Sequence, residues 1–426
     1  MKKIISFNKL ILLFTVALVG VTQQACKKDS SSGSGTPVIK DVRVVDSTKR
    51  DSFFTEALPG TLIVIQGSGF TGLQHVYFND FDASFNSALN SDNNIIISIP
   101  ADAPTAPPLD SVSNKIKVVT DHGEATFDFR LILPPPAVSA ASNENAPAGT
   151  TITLWGTNFY GITKVTFPGG AEGTNLTVKS PTEISVTVPA DITAGDSLHV
   201  IGDFGSCASP FIFDNWLSPS TGFLANFDGT NSQWSPPADN PYFGWSQQQW
   251  VGNFVTDPSA FPGGTGNCVE LNPAGNKVAS DNSWWQDNNS IITNTATWVS
   301  DASAPVSNYA LKFEAYVKKD WTAGSIWIGT TWPNWPYLAE YAPWKTASSG
   351  KYKTTGWVTV TIPLSSFLSA TNNVYTSSGS GPSNFSALTS GGGGMLMVMY
   401  ANDGTTTIPG GSFDIGLDNF RIVKIK

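Results

Sequence analysis

Apolar positions fall in short runs that alternate with polar ones, and no segment sustains a 3.6-residue period. From Ala310 to Val317, Leu311, Phe313, Ala315 and Val317 share one face, while Lys312, Glu314 and Tyr316 share the other. Trp357 to Ile362 repeats the pattern, with Val358, Val360 and Ile362 opposite Trp357, Thr359 and Thr361. Met395 to Tyr400 is apolar on both faces, as in a central strand, and Met395, Met397 and Met399 on one face read as adaptable core packing. Gly, Pro and Asn bound these runs, so the pattern predicts an all-β protein.

The first half repeats itself. Gly60-Thr-Leu-Ile-Val-Ile-Gln-Gly-Ser-Gly-Phe70 aligns with Gly149-Thr-Thr-Ile-Thr-Leu-Trp-Gly-Thr-Asn-Phe159 at an offset of 89. The same offset places Val76 and Phe78 on Val165 and Phe167, and Ile97-Ser-Ile-Pro-Ala-Asp102 on Val186-Thr-Val-Pro-Ala-Asp191. Two small antiparallel sandwiches are expected, at 37–133 and 134–214. The spread Gly-x-x-Ile-x-Ile-x-Gly-x-x-Phe, Val-x-Phe and Ile-x-Val-Pro resembles the immunoglobulin-like TIG/IPT family over about residues 37 to 214. Neither copy shows an aromatic cluster or convergent charges, so both read as stiff spacers, with Pro134-Pro135-Pro136 restraining the hinge between them.

At the N-terminus, Lys2, Lys3 and Lys9 precede an apolar run, Leu10 to Val21, of only 12 residues, too short to span a bilayer as a helix. Residues 1–25 read as a secretory signal peptide. Gln23-Gln-Ala-Cys26 and the polar Ser/Gly stretch after it resemble a lipoprotein signal, which implies acylation at Cys26 and a lipidated tether over 26–36. An ordinary signal peptide with an incidental cysteine is the alternative.

Residues 215–426 form a third segment of different character, holding 13 of the 14 tryptophans. Its densest stretch, Thr331-Trp-Pro-Asn-Trp-Pro-Tyr-Leu-Ala-Glu-Tyr-Ala-Pro-Trp344, interleaves aromatics with prolines. The axial C–H faces of a pyranose stack on flat aromatic rings, while amides and carboxylates bond its hydroxyl rim. Trp332, Trp335, Tyr337, Tyr341 and Trp344 would supply faces, and Asn334 and Glu340 rim partners, on a loop that its prolines preorganise. The alternative is a loop whose aromatics fold back to seal one end of the sandwich. Trp284, Trp285 and Gln286 form a second candidate, of which one indole at most would face a ligand. Trp327 and Trp357 are better explained as members of alternating strands.

Composition narrows the partner. Only 13% of residues are charged, and the formal charge is −9. Such a surface repels nucleic acid and anionic lipid head groups and favours a neutral ligand. His75, His122 and His199 are the only histidines, so residues 215–426 can hold neither a Ser/His/Asp site nor a His-rich metal site. Besides Cys26 there are Cys207 and Cys268, which could be bonded or remain separate buried thiols.

Phe227-Asp-Gly229, the strand Gly356 to Phe367 and the closing Phe413 to Val423 resemble the first, middle and last strands of carbohydrate-binding jelly-rolls. With the lipoprotein signal and the tandem TIG-like modules, the whole chain resembles the surface glycan-binding lipoproteins of Sus-like polysaccharide uptake systems, those with a C-terminal xyloglucan-binding domain in particular. The resemblance implies a larger jelly-roll-like sandwich over 215–426. It also implies capture of a neutral plant-type β-glucan beside an outer-membrane importer, with attachment to the outer membrane, facing the cell surface, through the lipid alone. Such jelly-rolls often carry a structural calcium, for which Asp228, Asp414 and Asp418 are the candidates. No catalysis is expected, since Glu340 is the one acid within the aromatic cluster, where a glycoside hydrolase needs two opposed carboxyl groups. A hydrolase and an aromatic-surface adhesin are the alternatives; the single arginine of the third segment, Arg421, argues against the adhesin.

Overall fold

The computed structural model describes residues 35–49, 51–192, 194–214, 223–225, 244–246, 255–256, 258–272, 289–293, 301–330, 335–372, 374–389, 395–401 and 414–426. These residues are almost entirely β, with one short helix among them, Phe385–Leu388, capped by the Asn384 side chain. The chain divides into two compact units, Met1–Leu133 and Pro134–Lys426.

The first unit is a small sandwich. One sheet orders Val38–Val44, Leu62–Ser68 and Asn94–Ser98, and the other Phe81–Asp82, Leu73–Phe78, Lys115–Thr120 and Gly123–Asp128. The residues at alternate positions of the repeat motif, Ile63 and Ile65, are fully buried between them with Val76 and Phe78.

The second unit begins with the other copy of the same design. Ala137–Ala141, Thr151–Thr157, Glu183–Thr187 and Thr174–Ser180 pack over Ile162–Thr166, Asp196–Gly202 and Gly205–Phe213. The second motif glycine is required by close approach in both copies. A Cβ at Gly67 would lie 1.8 Å from the Val38 carbonyl oxygen, and one at Gly156 would lie 2.0 Å from that of Ala137. In each case the ring of the motif phenylalanine, Phe70 or Phe159, closes the other side.

The rest of the second unit is a larger antiparallel sandwich. Its first sheet orders Val255–Thr256, Cys268–Leu271, Ile415–Lys424, Tyr309–Val317 and Val358–Pro363, with Phe223–Ala225 also paired to Ile415–Lys424. Its second sheet orders Gly244–Ser246, Asn289–Thr293, Met395–Ala401, Ser325–Gly329, Tyr337–Tyr341 and Leu368–Ser369. Leu311, Phe313, Ala315 and Val317 point between the sheets, as alternation predicts. Phe313 stacks on Phe420 with ring centroids 4.9 Å apart, and Tyr341 meets it edge-on at 5.5 Å. A bulge beside Asn419, at φ 54°, lets Leu417 and Phe420 both face inward although they are three positions apart.

The opposite face of Tyr309–Val317 is charged, yet it is buried. Lys312, Glu314 and Arg421 are 6%, 2% and 3% exposed, and the second immunoglobulin-like module adds Glu144 at 5%. Lys312 Nζ donates to Glu144 Oε1 at 2.5 Å, and Arg421 donates to both Glu314 oxygens at 2.8 and 3.0 Å and to Glu144 Oε2 at 3.3 Å. Glu314 therefore has no ordinary strand-surface role. Burial pushes its carboxyl above the usual carboxylate value, while Arg421 draws it back down. Tyr316 and Trp357 close the same face over Phe261, and Trp357 Nε1 donates to the Phe261 carbonyl at 3.0 Å. Cys268 lies buried in this cluster, and no disulfide joins it to Cys207.

Phe313→Ala should lower the unfolding free energy by about 3–5 kcal/mol, because the ring is fully enclosed. Chemical denaturation of the full chain measures this, and a loss under about 1 kcal/mol would contradict the packing described.

Candidate functional site

The second sheet of the large sandwich turns one face inward and one away. Ile326, Ile328 and Ala339 belong to the core, so Ser325, Trp327 and Gly329, and beside them Leu338 and Glu340, share the outer face. Trp327 stands directly across from Glu340. Glu340 Oε1 accepts from the Ser325 hydroxyl at 2.8 Å and from Lys345 Nζ at 2.7 Å, with its side chain 18% exposed. Tyr375 stands close enough that the Glu340 charge, after burial, helps raise its phenol pKa. Carboxylate, ammonium and phenol thus gather by one sheet face, groups that bond the hydroxyl rim of a sugar, while the Trp327 indole beside them is itself buried, at 5% exposure.

Proline density hides an ordinary strand in the stretch from Thr331 to Trp344. Tyr337–Tyr341 is a sheet strand, not part of a loop platform, and it alternates Tyr337, Ala339 and Tyr341 inward against Leu338 and Glu340 outward. Tyr341 lies edge-on between Phe313 and Trp321, with both centroids at 5.5 Å, and burial pushes its phenol pKa well up. Tyr337 packs against the same core. Trp344 does so too and donates Nε1 to the Gly324 carbonyl at 2.7 Å, which closes an end of the sandwich. Trp335 is only 2% exposed, and a Cβ at Gly329 would touch its ring at 3.2 Å, so it fills the outer face rather than offering an open one. Of the expected platform's described residues, then, Glu340 alone keeps an accessible polar group on the outer face, while Trp335, Tyr337, Tyr341 and Trp344 serve packing. Trp332 and Asn334, in the connection between Ser325–Gly329 and Tyr337–Tyr341, lie outside the described residues, as do Trp284, Trp285, Gln286 and Cys26.

Ser325, Lys345 and Tyr375 were not singled out by sequence reasoning, and Trp327, read as a member of an alternating strand, is one. Lys345 and Tyr375 reach the site from separate segments, with no local pattern to mark them. The calcium candidates have partners of their own where they are described. Asp414 lies 3.5 Å from Lys318 Nζ and 3.9 Å from Lys319 Nζ, Asp418 Oδ1 accepts from the Asn419 amide, and Asp228 is outside the described residues.

An antiparallel sandwich with such a face on its outer sheet, preceded by two immunoglobulin-like modules, defines a modular carbohydrate-binding protein. Residues 218–424 match the family model of the surface glycan-binding protein B xyloglucan binding domain. The whole chain is similar to the surface glycan-binding protein PbSGBP-B of Prevotella bryantii, at 25% identity and a TM-score of 0.63 over 92% of this chain and 99% of that one. An IPT/TIG domain-containing protein of Bacteroides ovatus is 22% identical over 84% of this chain and 89% of its own. An SGBP-B from a xyloglucan utilization locus in Bacteroides uniformis aligns over 91% of this chain at 20% identity and a TM-score of 0.48.

Trp335→Ala should cost about 3–5 kcal/mol of stability, as for a core indole, whereas Glu340→Gln should cost about 1 kcal/mol or less. Denaturant unfolding of both variants checks the contrast, and a fully stable Trp335→Ala would take that indole out of the packed face.

Proposed function

We propose that the chain captures a neutral plant-type β-glucan, xyloglucan in first place, at the cell surface and holds it near the importer of a Sus-like uptake system. The match of residues 218–424 to a xyloglucan-binding family carries this reading. The groups around Glu340 support it, since Glu340, Lys345 and Tyr375 offer hydroxyl-bonding atoms without a run of like charge. The protein binds and does not catalyse: Glu340 Oε1 is taken by Ser325 and Lys345, which suits a fixed rim partner. Acylation of Cys26, followed by the polar tether, would attach the chain to the outer membrane from its outer side, with the lipid as its one membrane contact.

Calorimetric titration of the full chain with xyloglucan, other β-glucans and mannan tests the ligand class. Xyloglucan should bind, and Trp332→Ala combined with Glu340→Gln should weaken it at least tenfold, about 1.4 kcal/mol. Failure of every glycan to bind, or an unweakened folded variant, would refute the proposal. Separately, Cys26→Ser should move the protein from the membrane fraction to the soluble one, and retention in the membrane would rule out this anchor.

A further inference from the structure

We infer that the second immunoglobulin-like module is a structural part of the glycan-binding domain and not a spacer, joined to it by a buried charge network in which Glu144 is the module's contribution. The two copies make the case by comparison. The repeat offset places Thr55 of the first copy on Glu144 of the second, and the same backbone bond confirms the equivalence. The Thr55 carbonyl accepts from the Arg130 amide at 2.8 Å, and the Glu144 carbonyl accepts from the Asp214 amide at 2.9 Å. Thr55 is exposed, whereas Glu144 is buried. A module that merely set a distance would have no reason to bury a carboxylate at this one position.

The sandwich supplies what that carboxylate needs. Lys312 pairs with one oxygen of Glu144 and Arg421 reaches the other. Arg421 is shared with Glu314, so two cations meet two carboxylates with all four side chains out of water. Thr359 adds a neutral bridge: its hydroxyl accepts from the Glu144 amide at 2.8 Å and donates to Glu314 Oε1 at 2.8 Å. Its own amide donates to the Ser142 carbonyl at 2.9 Å. Among the described strands Val358–Pro363 ends its sheet, so this bond also takes up one group of that edge. A cavity of about 260 Å³ beside the network, lined in part by Phe211, Asp214 and Lys424, leaves this junction incompletely packed.

The test uses the full chain and four forms: parent, Glu144→Gln, Lys312→Met, and Glu144→Met with Lys312→Met. In the parent, residues 134–426 should unfold in one calorimetric transition. Each single change strands a buried group and should lower that transition by roughly 5–10 °C. The double variant leaves neither group stranded, so its shift should be clearly smaller than the two single shifts together. Hydrogen exchange in Tyr309–Val317 should rise in Glu144→Gln. If Glu144→Gln fails to fold, the double variant against Lys312→Met alone still reads the coupling. Separate transitions in the parent, additive shifts, or unchanged exchange in Tyr309–Val317 would overturn the inference. None of these readouts involves a glycan, so the inference and the proposed ligand can fail independently.

Discussion

Four charges sealed from water on one face of a β-sheet constrain everything else in the second unit. Lys312, Glu314 and Arg421 stand on strands whose other face builds the main core, and Glu144 enters from the preceding module. Desolvating such groups costs several kcal/mol per ion, so they persist only where partners are fixed in place. The arrangement supplies them: Arg421, the sole arginine after residue 214, spans both carboxylates, while Thr359 ties Glu314 to the Glu144 amide. Since a well-packed apolar face could match its stability, the network is better understood as selecting one docking arrangement among many.

That constraint reaches the candidate site through the core. The charged strands present Leu311, Phe313 and Phe420 inward, against Ile326, Ile328 and Ala339 of the second sheet. Close packing transmits position from one sheet to the other. The outer face with Trp327 and Glu340 is thus backed by an aromatic core, in which Phe313, Phe420, Tyr341 and Trp321 meet ring to ring. A face held this rigidly loses little entropy when a sugar chain settles on it.

The all-β class, the duplicated modules and the inward residues of Tyr309–Val317 were legible because period-two alternation and a repeated motif are local signals. The candidate site was legible only in part. Alternation showed Lys312 and Glu314 on a polar face, but their burial depends on Glu144, 168 residues away from Lys312 along the chain. The segment around Tyr337 misled for a different reason. Proline is a strong cue against a strand, yet Pro336 stands just before Tyr337–Tyr341, where it costs no ladder bond. With the strand in place, rings that composition alone marks as a binding platform became packing, and Trp327 is the buried strand residue that its alternation predicts.

The most direct test of the central claim, that the C-terminal sandwich takes a glycan on the outer face of its second sheet, is hydrogen exchange of the full chain with and without a xyloglucan oligosaccharide. Added protection should concentrate in residues 325–345, with little change in residues 35–133. Protection centred in the immunoglobulin-like modules, or none under saturating oligosaccharide, would contradict the account.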